Sequence, residues 1–273
     1  MRRALTGADL PASAFDRVAP TFDRHRALPP GVAAAVRAAI VAALHPARAP
    51  RYLDVGAGTG RFGLAFVSAG DDYVGVDLSE GMLREFAHHA AEQSMSARLL
   101  QADGEQLPFA SATFDAVMLM NVFGGLHDWR KLLAEVRRLL RPQGAVVVGR
   151  TQAPSDGLDA RMKQCAQDSL ESLGVARDRV NRRGDVVAWL DSHATRRTTV
   201  TAARWIANRT PRAFIARHRG GARFSALPLA TQSLALRELE TRAVAAFGSL
   251  DSDFAEQHAF ELDIFTFQHG ASA

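Results

Sequence analysis

Gly56, Gly58 and Gly60 alternate through the stretch from Val55 to Arg61, where an apolar run ends and a helical pattern begins near Phe62. Without a Cβ, each lets the backbone turn tightly and lets a ligand touch its amides. About twenty residues later a second apolar run, Tyr73 to Val76, ends in Asp77, the offset at which a carboxylate accepts hydrogen bonds from ribose hydroxyls. A third short segment, 97–101, ends in Ala102-Asp103-Gly104-Glu105. A fourth, Phe114 to Asn121, is nearly continuous apolar sequence. A glycine loop and acidic tips following successive strands describe one ligand site at the carboxyl edge of a sheet.

These tips need a parallel sheet beneath them. The fourth run is nearly continuous apolar sequence, as in a strand buried on both faces. Helical segments separate the runs, which predicts a doubly wound α/β core. Before it, Pro29-Pro30-Gly31 punctuates the chain and Val36, Ile40 and Val41 share one face of a helix over 32–44. After it, the cluster 153–157 reads as a linker, with helices over 158–173 and 185–191 and a strand over 198–206. Residues 211–247 read as mostly helical, and 259–267 alternate strictly between apolar and polar, as in a half-exposed strand.

The ordered series resembles the class I S-adenosylmethionine-dependent methyltransferases, in particular the small-molecule group that includes the ubiquinone/menaquinone-biosynthesis type. Residues 53–60 are similar to its first motif and Val76-Asp77-Leu78-Ser79 to its ribose-binding strand end. Asp103-Gly104-Glu105 with Leu107-Pro108-Phe109 is similar to its adenine-contacting loop. Leu139 to Ala145 resembles its helix end, turn and fifth strand, with Gln143 at the turn's usual second glycine. The resemblance implies a Rossmann-like, doubly wound seven-stranded sheet with an antiparallel last strand and helical lid insertions. The segments would be an N-terminal cap and first helix over 1–45, a cofactor-binding core over 46–152, a lid over 153–258 and the final strand over 259–273.

It also implies a cofactor, S-adenosyl-L-methionine, leaving as S-adenosyl-L-homocysteine. Gly56, Ala57, Gly58 and Gly60 would surround its methionine part, with Asp54 fixing the loop and the amino group. Asp77 would take the ribose, Leu78 and Met82 the adenine faces, Asp103 and Gly104 the adenine edge, and Asn121 would lie near the sulfonium. Phe15 and Phe22 fall where relatives carry a cap over the cofactor, and Arg26 would meet its carboxylate; the same aromatics equally suit the apolar face of a short helix. His127, on the loop after the fourth strand, is the candidate general base where an acceptor must lose a proton.

Composition is that of an ordinary globular chain: 273 residues, 47% hydrophobic, 23% charged, net charge +4. No stretch is long and apolar enough for a membrane span. The single cysteine, Cys165, excludes an internal disulfide and argues against a thiolate metal site, so no metal is expected. With no secretory signal in residues 1–13, the expected location is cytoplasmic. Apart from Lys131 and Lys163, every strong base is arginine. Arg204, Arg209, Arg212, Arg217, Arg219 and Arg223, with Trp205 among them, concentrate charge in the lid. That is either a solvated face or the seat of an acidic substrate group.

Two other readings fit less of the chain. A nicotinamide fingerprint needs Gly-x-Gly-x-x-Gly, one residue longer than this loop. Asn121-Val122-Phe123-Gly124 lacks the Asn/Asp-Pro-Pro-aromatic motif of enzymes methylating exocyclic amino groups. No module for nucleic acid is present. The expected acceptor is therefore a small molecule, plausibly acidic, methylated at oxygen, carbon or a carboxylate by a monomer or homodimer. The alternatives are a carrier-bound or RNA acceptor, or a non-catalytic cofactor-binding partner subunit.

Overall fold

The computed structural model describes residues 13, 15–44, 49–124, 128–175 and 182–267. One seven-stranded sheet organises them, in the order β3-β2-β1-β4-β5-β7-β6. The strands are β1 (Arg51–Val55), β2 (Asp72–Asp77), β3 (Arg98–Gln101), β4 (Phe114–Met120), β5 (Leu140–Gln152), β6 (Arg196–Arg209) and β7 (Phe254–Thr266). β1 to β5 pair in parallel, while β7 runs antiparallel to both β5 and β6. The strand order reverses between β1 and β4, and ligands of open α/β sheets bind at such a switch point, beyond the carboxyl ends of the strands.

Alternation along each strand divides the core. Leu53, Val55, Val117, Leu119, Val146 and Val148 face one way. They bury α4 (Trp129–Leu139) and α6 (Arg182–His193) through Leu132, Val136, Val186 and Leu190. Tyr52, Tyr73, Met118, Val147 and Ile264 face the other way. There they meet α1 (Val32–Leu44), α2 (Gly63–Ser68) and α3 (Glu80–Glu92) through Val36, Ile40, Phe66 and Phe86. Both faces are covered, which is why these strands read as unbroken apolar runs.

The lid helices α5 (Leu158–Glu171), α7 (Pro211–Arg219) and α9 (Leu229–Phe247) hold a separate apolar cluster of Leu158, Met162, Phe214, Ile215, Leu239 and Ala243. Between α7 and α9 lies the short α8 (Ala222–Ser225). β6 and β7 are longer than their sequence pattern indicates. They reach Arg209 and start at Phe254, inside the segments read as helical lid, and Arg209 pairs with Phe254 at the tip. β5 stops at Gln152, opposite Ala259, so the tip of the β6–β7 ribbon rises above the carboxyl edge of the parallel strands.

α4 passes into β5 without a gap, and Gln143 holds φ +64° in the tight passage. A glycine takes that left-handed conformation at almost no cost, whereas a residue with a Cβ does not. Replacing exposed Gln143 with Gly is therefore expected to raise stability by about 0.5–1 kcal/mol, read as a higher denaturant midpoint.

Candidate functional site

The loop after β1 is tied to β2 at its base. Gly56 and Ala57 donate to the Val76 carbonyl at 2.8 and 3.0 Å. Gly58 then donates to Asp77 Oδ2 at 2.9 Å, and the Ser79 amide donates to Oδ1 at 2.9 Å. One carboxylate at the end of β2 thus holds both the glycine loop and the start of α3.

The three glycines have different reasons. Gly56, at φ +77°, lies against the turn after β4, where an added Cβ would sit 2.5 Å from Val122 Cγ2. A Cβ on Gly60, at φ +85°, would run into the Phe86 ring. Gly58, at φ +57°, has only the Gly56 carbonyl within 4 Å of where its Cβ would be. That side of the loop is open.

Asp54 lies under the loop and is almost completely buried. Its Oδ2 accepts from the Tyr73 hydroxyl at 2.9 Å, while Oδ1 is buried without a partner. Burial pushes its carboxyl up to about 7, against the Tyr73 hydrogen bond, and the charge of Asp77 adds to the push. Burial raises Asp77 as well, against the amides of Ser79 and Gly58. Two neighbouring carboxylates, one buried and one half-buried, both raised, form a site that favours a cationic ligand.

The charge on Asp54 has a thermodynamic consequence. The folded chain keeps a proton that an unfolded aspartate releases near pH 4. Its contribution to stability is full below about pH 4 and is lost as pH rises through about 7. Melting of the ligand-free protein is expected to fall between pH 5 and 8. An Asp54→Asn variant, uncharged throughout, should flatten that slope in a parallel melting series.

The rest of the predicted set is placed as follows. Leu78 is half-buried and its carbonyl accepts from Gln101 Nε2. Met82 is buried beneath Val18 and Ala19, with Phe15 and Phe22 packed against the same cluster. Asp103 Oδ1 accepts from the Glu105 amide, and Gly104 approaches Val55 and Leu132 so closely that a Cβ would lie 3.1 and 3.2 Å from them. Asn121 sits at φ +59° where β4 ends, an unusual conformation that asparagine tolerates and that recurs at functional sites. His127 lies outside the described residues, and so does Arg223 as a side chain.

The N-terminal segment docks through contacts that no local pattern announces. Asp16 Oδ1 accepts from the Ser79 hydroxyl at 2.6 Å and the Gly81 amide at 2.9 Å. Asp23 accepts from the Thr59 hydroxyl at 2.8 Å, inside the glycine loop. Arg26 stacks 4.6 Å over the Phe22 ring and donates to the Arg217 carbonyl at 3.1 Å, joining cap to lid.

Beside the loop opens a cavity of about 410 Å³. Arg61 and Arg26 line it from the core and cap, Thr151 from the end of β5, Trp205 and Arg209 from β6, and His258 from β7. His258 is almost fully buried with Nδ1 unpartnered; its Nε2 faces Glu256 at 3.4 Å. It stands in the ribbon extension and was missed in the sequence because that stretch read as lid. On α3, His88, His89 and Glu92 bring potential metal-ligating atoms within 4.8 Å of one another. Both outer residues are exposed, and His89 Nδ1 lies 3.1 Å from the Thr59 carbonyl.

Residues 53–148 match the methyltransferase domain family. The core of this chain is similar to methyltransferase domains over those residues. The chain is 34% identical over 147 residues to a demethylmenaquinone methyltransferase of Renibacterium salmoninarum, covering 54% of this chain and 60% of that protein. It is 35% identical over 154 residues to the ubiquinone/menaquinone biosynthesis C-methyltransferase UbiE of Syntrophotalea carbinolica, covering 55% and 65%. The matched region thus spans about three fifths of these relatives.

Among solved structures, the YcgJ protein of Bacillus subtilis superposes with a TM-score of 0.54 at 20% identity, covering 85% of this chain and 98% of that one. The [4+2]-cyclase SpnF superposes at 0.57 and 15% identity, covering 99% and 100%. They share the fold, and a cyclase among them means that the fold alone does not name the reaction.

The cofactor that this similarity implies is S-adenosylmethionine, and the core has parts that fit it. The open side of Gly58 admits a ligand to the backbone, Asp77 ends β2 at the ribose offset, and buried Asp54 Oδ1 lacks a donor. No helix of the described residues is long and apolar enough to cross a membrane.

Proposed function

We propose that this chain is an S-adenosylmethionine-dependent methyltransferase acting on a small-molecule acceptor at oxygen, carbon or a carboxylate. The observation that carries the reading is the geometry of two neighbouring carboxylates around a glycine loop open on one side: Asp54, buried with Oδ1 unpartnered, and Asp77, which holds the Gly58 amide. When bound, the cofactor supplies a methyl group on a positively charged sulfur. The chain's residues have to bind it, orient it and present the acceptor in line, and orientation alone removes a large part of such a barrier.

In this reading Gly56, Ala57, Gly58 and Gly60 cradle the methionine part, and Asp54 accepts from its amino group. Asp77 accepts from the ribose hydroxyls. Leu78 and Met82 flank the adenine, while Asp103 and Gly104 meet its edge. Asn121, at the switch point, lies toward the sulfonium. Arg26 moves from the cofactor's carboxylate to the acceptor side, because its guanidinium lines the cavity and bonds the lid. Where the acceptor gives up a proton, His127 is the proposed base; among the described residues, His258 brings an imidazole to the cavity. The acceptor carries an acidic group, and the protein works in the cytoplasm as a monomer or homodimer. The cap, core and lid divide near residues 45, 152 and 258, with the ribbon tip counted to the lid.

Calorimetric titration tests the reading. S-adenosylmethionine and S-adenosylhomocysteine are expected to bind at micromolar concentration and NADH not at all. Preference for NADH, or failure of the first two, overturns it.

A further inference from the structure

The described members of the basic lid cluster, Arg204, Trp205, Arg209, Arg212, Arg217 and Arg219, separate sharply in space. Arg204 and Arg219 are exposed, and Arg212 is spent on Asp251 at the surface. Of these described residues, only Trp205, Arg209 and Arg217 reach the cavity. There they meet Arg26 and Arg61, which belong to the cap and the glycine loop, and Lys163 from α5.

Five cationic side chains therefore line one cavity together with a single carboxylate, Asp159. That carboxylate is already taken, since Arg217 Nη2 donates to its Oδ1 at 2.7 Å. Two carboxylates just outside are engaged as well, Asp23 by the Thr59 hydroxyl and Glu256 by the Leu158 amide. Among the described residues, Arg26, Arg61, Arg209 and Lys163 have no carboxylate within ion-pair distance, and Arg209 Nε is buried without an acceptor. Burial pushes the Arg26, Arg61 and Arg209 guanidinium groups down from their ordinary range, so their charge is held at a cost. Buried cations without counter-charge are expensive unless something of opposite sign joins them.

We infer that the cavity is an oxyanion seat, in which Arg61 and Arg26 from the core and Arg209 from the ribbon clamp a carboxylate or phosphate of the acceptor. This rests on the methyltransferase reading for what lies next door, because Arg61 directly follows Gly60 of the cofactor loop. Guanidinium groups suit both anions, since each offers parallel donors to two oxygens. Leu28, Pro29 and Trp205 supply an apolar wall, so the bound group belongs to a molecule with an aromatic or aliphatic body. The volume of about 410 Å³ suits such a ligand. Arg217, bonded to Asp159 and through its carbonyl to Arg26, keeps lid and cap closed around the seat.

The test is calorimetry on the full chain with benzoate, phenyl phosphate and neutral benzyl alcohol, each with and without S-adenosylhomocysteine. Binding of benzoate or of phenyl phosphate, but not of the alcohol, is expected, and whichever binds tighter identifies the anion. Arg209→Gln and Arg61→Gln should each weaken it at least tenfold. Arg212→Gln, which removes the same charge from the surface, should leave it unchanged. Arg209→Gln should also bind S-adenosylhomocysteine like the wild type, which shows that it is folded. Equal weakening by Arg212→Gln, equal binding of the alcohol, or no binding of either anion at millimolar concentration overturns the seat. Failure of S-adenosylhomocysteine alone overturns the methyltransferase reading and leaves the anion result to stand by itself.

Discussion

Asp77→Asn is expected to weaken S-adenosylhomocysteine binding about 10- to 100-fold, or about 1.4–2.7 kcal/mol. The wild-type carboxylate already accepts from Gly58 and Ser79, one oxygen each, and each oxygen keeps a further lone pair. An amide keeps one acceptor oxygen and presents a donor where the other stood, so either the loop or the ligand loses a partner. The ligand-free variant should nonetheless melt as high as the wild type. Burial disfavours the charge on Asp77, so removing it relieves a cost. Calorimetry and melting on the same sample separate the two effects. Undiminished affinity would remove Asp77 from the ribose site, and a collapsed melting temperature would make its role structural.

The second large effect is steric. Gly60→Ala should cost about 2–4 kcal/mol, a fall of roughly 5–15 °C in melting temperature for a chain of this size. The new methyl would meet the Phe86 ring, which is fully buried between α3 and the sheet and cannot swing away. It would also hold a positive φ. Gly70→Ala isolates the second component, because Gly70 has a similar φ of +75° with nothing within 4 Å of its Cβ position. That control should cost only about 1 kcal/mol. If both variants melt alike, backbone conformation and not the Phe86 contact explains Gly60.

Much of this arrangement was legible in the chain. β1, β2 and β4 declare themselves because both faces are covered, and every position in Val117-Met118-Leu119 is buried. Asp77 and the glycine loop are legible because their spacing is set by one βαβ unit. The strand ends of β6 and β7 were hidden for the opposite reason. Glu256 and His258 turn polar atoms toward the lid and the cavity, so the inside of the ribbon is not apolar and the alternation rule finds nothing. Arg26 and Arg61 as partners of Arg209 were beyond reach too, since a shared cavity links residues well over a hundred positions apart. Asp16 caps α3 across 63 positions, a tertiary contact without a local signature. Gln143 departs from the usual glycine, and the structure returns the departure as a strained φ.

The sheet order carries a consequence for how the protein is made. β6 touches no strand but β7, and β7 is the last element of the described chain. On the ribosome the first five strands can pair as they emerge, whereas β6 must wait, edge exposed, until some fifty more residues have followed it. Only when β7 slides between β5 and β6 does the ribbon exist, and with it the wall bearing Trp205, Arg209 and His258. The half of the sheet that carries the glycine loop can thus assemble during synthesis, and the ribbon that walls the cavity is completed only by the closing strand.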